Sequence, residues 1–245
     1  MIVNNKYNFI YVHIPKTGGC STLNSLRNIK GTQHITPAHG SIKDYVDKLT
    51  FNFATIRNPF DWYVSFFSFK GSSWSNQLYD PEGTGNFSIW LDGILNLRCS
   101  RDHAMVVRER NNDPELDYRF HLDTLINGPK MDNAGWLTHL VLFSCCENYE
   151  EIIKQNDINE TIRMFKDKSS INQFIATSDL NNISSIIDNE ILKESFKSSK
   201  IQHLNKSNHS NSYKYYSEEM KKKVLEKDRL VFEIIEDCKY KPVEK

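Results

Sequence analysis

The chain has 245 residues, 39% of them hydrophobic and 25% charged, enough to bury a core and compatible with one α/β domain. Its 31 basic and 31 acidic residues cancel to a formal net charge of +0, so no overall field draws it to nucleic acid or an anionic membrane. The five cysteines, Cys20, Cys99, Cys145, Cys146 and Cys238, are odd in number and lack C-x-x-C spacing, which reads against a disulfide framework or zinc site and predicts buried, reduced thiols.

The N-terminus shows no basic-then-apolar leader, and Phe9-Ile10-Tyr11-Val12-His13 has the β-branched and aromatic composition of a buried strand. Ile14-Pro15-Lys16-Thr17-Gly18-Gly19-Cys20-Ser21-Thr22 follows, and then Leu23, Leu26 and Ile29 at helical spacing. This is a strand-to-helix turn in which Gly18-Gly19 lets the backbone turn sharply and approach a ligand. Free N–H groups at the helix start, a lysine and two hydroxyls make it a candidate anion site for a phosphate or sulfate group. Lys16 precedes the glycines, the reverse of the common nucleotide loop G-x-x-x-x-G-K-[ST].

Gly31 to Thr36 reads as a polar connection, and Ser41 is placed to cap a short helix through Asp44, Tyr45 and Leu49. Phe51 to Ile56 predicts a second buried strand, ending in Arg57-Asn58-Pro59. Asn58 suits an N-cap, Pro59 the first helical position and Asp61 the capping-box position. Asn58, Asp61 or Trp62, and Ser65 share one helical face, so Arg57 and Ser65 are candidates to hold one anionic group.

Pro-Lys-Thr-Gly-Gly-x-Ser at Pro15–Ser21, followed some forty residues later by Arg-Asn-Pro-x-Asp-x-x-x-Ser at Arg57–Ser65, resembles the two cofactor motifs of sulfotransferases that use 3′-phosphoadenosine 5′-phosphosulfate (PAPS), in particular the carbohydrate and bacterial branch. Many members carry arginine where this chain has Trp62 and tyrosine where it has Phe67. The resemblance implies a P-loop nucleotide-kinase-like fold and a PAPS cofactor without a metal. It also implies that Lys16, Thr17, Gly18, Gly19, Cys20, Ser21 and Thr22 hold the 5′-phosphosulfate, and Arg57 and Ser65 the 3′-phosphate. The acceptor it implies is a hydroxyl of a saccharide or glycoconjugate.

Farther along, Gly71 to Gly85 reads as a loop, and Phe87, Trp90, Leu91, Ile94 and Leu95 as a helix. The stretch around residues 71–133 is least like the family and is expected to form a variable acceptor-side insertion. Arg98, Arg101, Arg108 and Arg110 within it could rim an anionic glycan or form a solvated face with Asp102 and Glu109. Trp136 to Phe143 is an apolar helix or strand; its window from Leu137 to Cys146, about ten residues, is too short to span a bilayer. Ile171 to Thr177 predicts a strand, Asn182 to Ile191 a helix, and Ser217 caps one final helix with an inner stripe of Met220, Val224, Val231 and Ile235. The whole, residues 1–245, predicts a single three-layer α/β/α domain with a mainly parallel sheet, soluble and cytoplasmic, its ligand at the carboxyl ends of the two motif-bearing strands.

Sulfuryl transfer needs charge stabilised on the leaving phosphate and a proton removed from the acceptor. Lys16 is the candidate for the first task. For the second the candidate is His39, which resembles the histidine base of heparan-type enzymes; a turn histidine beside Pro37 and Gly40 is the plainer alternative. Two other functions fit a nucleotide loop: a P-loop-like kinase or hydrolase, disfavoured by the lysine's position, and a nucleotide-binding module without transfer activity.

Overall fold

The computed structural model describes residues 1–35, 40–45, 51–69, 79–80, 82–96, 133–155, 157–198 and 211–239. Five strands, β1 (Ile2–Asn4), β2 (Phe9–Val12), β3 (Thr32–His34), β4 (Phe51–Ile56) and β5 (Gln173–Ala176), form one sheet in the order β3-β1-β2-β4-β5. The two apolar runs predicted as buried strands lie side by side and parallel, with Tyr11 opposite Phe53 and Val12 opposite Ala54. All four residues of β2 and five of the six in β4 are buried, which explains why both runs are largely apolar; the buried Asn52 and Thr55 of β4 are hydrogen-bonded, to Ser170 O and to the Tyr11 and Thr17 hydroxyls. β5 continues the parallel half, pairing Ile56 with Ala176.

The mainly parallel sheet expected from the sequence is not what forms. β1 pairs antiparallel with β2 and also with the edge strand β3, so the sheet is mixed, about half parallel and half antiparallel. Each added strand has only three residues, too few to show alternation, and Thr32-Gln33-His34 is polar because it forms an exposed edge. A turn closes the β1–β2 hairpin with Asn8 at φ 51, a left-handed conformation that asparagine tolerates. Asn4 braces both neighbours: its Nδ2 donates to Thr32 Oγ1 at 2.9 Å and its Oδ1 accepts the Tyr7 N–H at 2.9 Å.

Helices cover both faces of this sheet. Ile10, Val12, Ala54 and Ile56 project into the larger core, with α2 (Pro59–Phe67), α3 (Phe87–Leu95), α4 (Trp136–Cys145), α5 (Tyr149–Ile152) and α6 (Ile158–Lys168). Phe9, Tyr11, Phe53 and Ile175 face the opposite core, against Leu26 of α1 (Gly19–Leu26), Ile183 of α7 (Ile183–Ile186), and Leu192 and Phe196 of α8 (Glu190–Ser198). Trp136 to Phe143 is thus helical, and its even burial on all sides accounts for the missing periodicity. Ser41 caps only a 3-10 turn, Ile42–Asp44, through the Lys43 N–H.

The single terminal helix of the sequence reading is two, α9 (Glu218–Lys227) and α10 (Arg229–Lys239), parted at Asp228. Ser217 caps α9 as expected, accepting the Met220 N–H at 3.2 Å. The break frees Asp228 to serve another element. Its Oδ1 accepts the Thr138 N–H and hydroxyl at 2.9 Å each, closing the first turn of α4, and its Oδ2 accepts the Tyr63 hydroxyl at 2.6 Å. Among the described residues, no helix is long and apolar enough to cross a membrane.

Candidate functional site

Both motifs sit where adjacent parallel strands end. After β2 the chain runs through Ile14 to Gly18 into α1, with Lys16 at φ 63 and Gly18 at φ 84. Side chains cannot replace either glycine. A Cβ on Gly18 would lie 2.5 Å from Leu180 Cδ1, and one on Gly19 would lie 1.8 Å from the His13 imidazole. The loop is held against the sheet by the end of β2 on one side and the turn after β5 on the other.

Every carbonyl from Ile14 to Gly18 has a donor. Thr17 Oγ1 donates to Ile14 O at 2.8 Å, Trp62 Nε1 to Pro15 O at 2.7 Å, Arg57 Nη1 to Lys16 O at 3.3 Å and Thr177 Oγ1 to Thr17 O at 3.0 Å. Gly18 O receives the N–H groups of Ser21 and Thr22 at 3.1 and 3.2 Å. In a trans peptide the N–H points opposite to the C=O, so drawing these carbonyls back turns the intervening N–H groups the other way. The N–H groups of Gly19 and Cys20 have no intrahelical acceptor, and α1 has neither a side-chain cap nor an acidic residue in its first turn. Its positive end is left open to an anion.

Beneath the loop lies a chain of neutral hydroxyls. Thr17 donates to a carbonyl, so it accepts from Thr55 Oγ1 at 2.9 Å, and Thr55 in turn accepts from the Tyr11 hydroxyl at 2.8 Å. The tyrosine's pKa is pushed well above its ordinary value by burial, so it remains a donor.

Two cations, Lys16 and Arg57, lie near one another beside this loop. Lys16 has its pKa lowered to about 8, first by burial and then by the neighbouring Arg57 guanidinium. Its ammonium rests over the Phe69 ring, 3.8 Å from the centroid. Burial also lowers the Arg57 pKa, with Asp61 acting against it. Asp61 itself accepts the Ser212 hydroxyl. Among the described residues, neither Lys16 nor Arg57 has a carboxylate within ion-pair distance. Two positive charges gathered without an ion pair among the described residues, with Asp61 acting on only one of them, favour an external anion.

The remaining predicted residues are placed as follows. Cys20 is exposed on the first turn of α1, unlike the buried Cys145 and Cys146. Ser21 and Thr22 are buried, and the Thr22 hydroxyl lies 3.4 Å from Gly18 O. Asn58 caps α2 through the Phe60 N–H at 3.0 Å, and Ser65, 3% exposed, sits two turns into that helix. His39 and Arg98 to Arg110 lie outside the described residues. His139, left unassigned by the sequence, is buried within α4, where burial lowers its pKa to about 4. Among the described residues, no group of three or more His, Cys, Asp or Glu could hold a metal ion.

Tyr11, Thr55, Trp62 and Thr177 complete the site, and the sequence alone did not mark them for it. Trp62 had a usable signal, its place on the same helical face as Ser65. Thr177 had none, standing 160 residues from the carbonyl it holds. No family model, curated protein or solved structure matches the chain.

Proposed function

We propose that this chain is a sulfotransferase that moves a sulfuryl group from PAPS to an acceptor hydroxyl, on a saccharide or glycoconjugate. The observation that carries the reading is the loop in which every carbonyl from Ile14 to Gly18 is held by a donor, leaving N–H groups, and two cations without an ion pair among the described residues, for an anion. The resemblance of the Lys16 and Arg57 motifs supplies the identity of that anion.

Bound there, PAPS brings the sulfuryl group on a phosphate leaving group. The residues fit its charge: the N–H groups at the start of α1 suit a 5′-phosphate, and Arg57, together with Ser65 by the motif's resemblance, suits a 3′-phosphate. Lys16, charged below about pH 8, neutralises the oxygen released when the S–O bond breaks. The acceptor oxygen bonds to sulfur as it loses its proton, for which His39 is the proposed base. The Tyr11–Thr55–Thr17 hydroxyls fix the loop beforehand, so little reorganisation is left for the reaction.

Calorimetry with adenosine 3′,5′-bisphosphate, ATP and AMP tests the cofactor. The bisphosphate is expected to bind far more tightly than either competitor, and equal affinity for AMP would remove the 3′-phosphate role of Arg57 and Ser65. Incubation with labelled PAPS and a panel of saccharides, alcohols and phenols tests the acceptor; label appearing only on phenols overturns the saccharide assignment.

A further inference from the structure

Thr177 closes β5 and opens the 3-10 turn Thr177–Asn182. Its hydroxyl lies 3.0 Å from the Thr17 carbonyl, in the anion loop, and 2.8 Å from the Ile56 carbonyl, the residue just before Arg57. One proton is therefore shared between two backbone carbonyls, one in the Lys16 motif and one at the strand end just before the Arg57 motif. Three residues on, Leu180 presses against Gly18 from the same side. The β4–β5 ladder pairs Ile56 with Ala176, so sheet register brings Thr177 to the gap between the junctions.

We propose that Thr177 is a positioning residue that sets the spacing between the Lys16 loop and the Arg57 junction, and thereby the preference for a ligand bearing two anionic groups over one bearing a single group. This rests on the PAPS reading above. The Arg57–Lys16 O bond, at 3.3 Å, joins Arg57 itself to the loop, and the Trp62–Pro15 O bond, at 2.7 Å, joins the helix that follows it; neither reaches the strand end before Arg57, which Thr177 holds. A two-point ligand gains its second contact at full strength only if both points are held at the correct separation. A ligand that uses the α1 terminus alone does not depend on that separation.

The test compares affinities for adenosine 3′,5′-bisphosphate and AMP in wild type, Thr177→Val and Thr177→Ser, with thermal unfolding of each. Thr177→Val is expected to narrow the preference for the bisphosphate by roughly tenfold, the worth of about one hydrogen bond, while Thr177→Ser keeps it. Thr177→Cys, similar in size but a weaker donor, gives a smaller narrowing and serves if the valine variant does not fold. Thr138→Val, which loosens the Asp228 cluster, is expected to lower the melting temperature and leave the preference intact. An unchanged preference in a folded Thr177→Val, or an equal loss for both ligands, overturns the positioning role. Equal wild-type affinities would instead remove the PAPS reading, and this inference with it.

Discussion

Two buried polar clusters hold this protein together, and they treat charge in opposite ways. Around Asp228, a fully buried carboxylate is met by the Tyr63 hydroxyl and by the N–H and hydroxyl of Thr138, at the positive end of α4. That cluster closes on itself. Under the Lys16 loop, Tyr11 and Thr55 pass hydroxyl hydrogen bonds to Thr17, and Thr17 and Thr177 donate to carbonyls, while Lys16 and Arg57 have no carboxylate within ion-pair distance among the described residues. The contrast sets a carboxylate whose hydrogen bonds are met inside the core, which serves stability, against cations that the proposed reading assigns to a ligand.

The sharpest way to break the comparison is to remove each charge in turn. Asp228→Ala leaves three donors without their acceptor in the core and is expected to lower stability by about 3–5 kcal/mol in denaturant titration. Burial raises the Asp228 pKa from 3.8 to about 6 in spite of its donors. The folded state therefore holds its proton more tightly than the unfolded chain, so this group's contribution declines as pH rises from 3.8 through 6. Asp228→Asn should abolish that decline in a series of unfolding curves. Lys16→Ala is expected to do the reverse, cutting kcat by about 10²–10³-fold while leaving the unfolding midpoint in place. A large loss of stability in Lys16→Ala would mean that the lysine has an internal partner and that the site is not open.

The pH profile sharpens the distinction. Lys16 loses its proton as pH rises through about 8, well below its ordinary 10.5, so anion affinity should fall from pH 7 to pH 9. The fold should gain slightly over pH 8 to 10.5, where only the unfolded chain still carries that proton. Lys16→Arg should flatten the binding profile across that range. The smallest effect belongs to Tyr11→Phe, which removes one terminal donor from the hydroxyl chain; about 1 kcal/mol of stability is expected, with ligand preference kept.

The sequence made the two junctions legible because each is a local pattern: an apolar run, a helix start, and characteristic residues within about ten positions of one another. Phe51 to Ile56 and Asn58-Pro59 specify strand, cap and helix without reference to anything distant. What stayed hidden depended on partners far along the chain. Ile2-Val3-Asn4 is a strand because β2 and β3 flank it, and Thr32-Gln33-His34 because β1 offers it a free edge, so the direction of half the sheet could not be read locally. The break at Asp228 was hidden for the same reason. Val224, Val231 and the helix-forming residues between them continue the pattern, and only the first turn of α4 calls for a carboxylate there. Trp62 and Thr177 entered the site likewise, through carbonyl acceptors at Pro15 and Thr17.

The two bonds of Thr177 cross 160 and 121 residues of chain, whereas the β1–β2 hairpin joins Asn4 to Phe9. Hairpins of that kind close in about 1–10 μs, but pairings across such distances come late because they must first overcome the entropy of a large loop. Ligand competence should therefore be among the last properties acquired during folding. A nascent chain that has emerged only through Ser65 carries both motifs in full and still lacks the clip that sets them apart at the right distance. In refolding, helical signal should recover before nucleotide binding does. A bound nucleotide would then report on the completed domain and not on its N-terminal third.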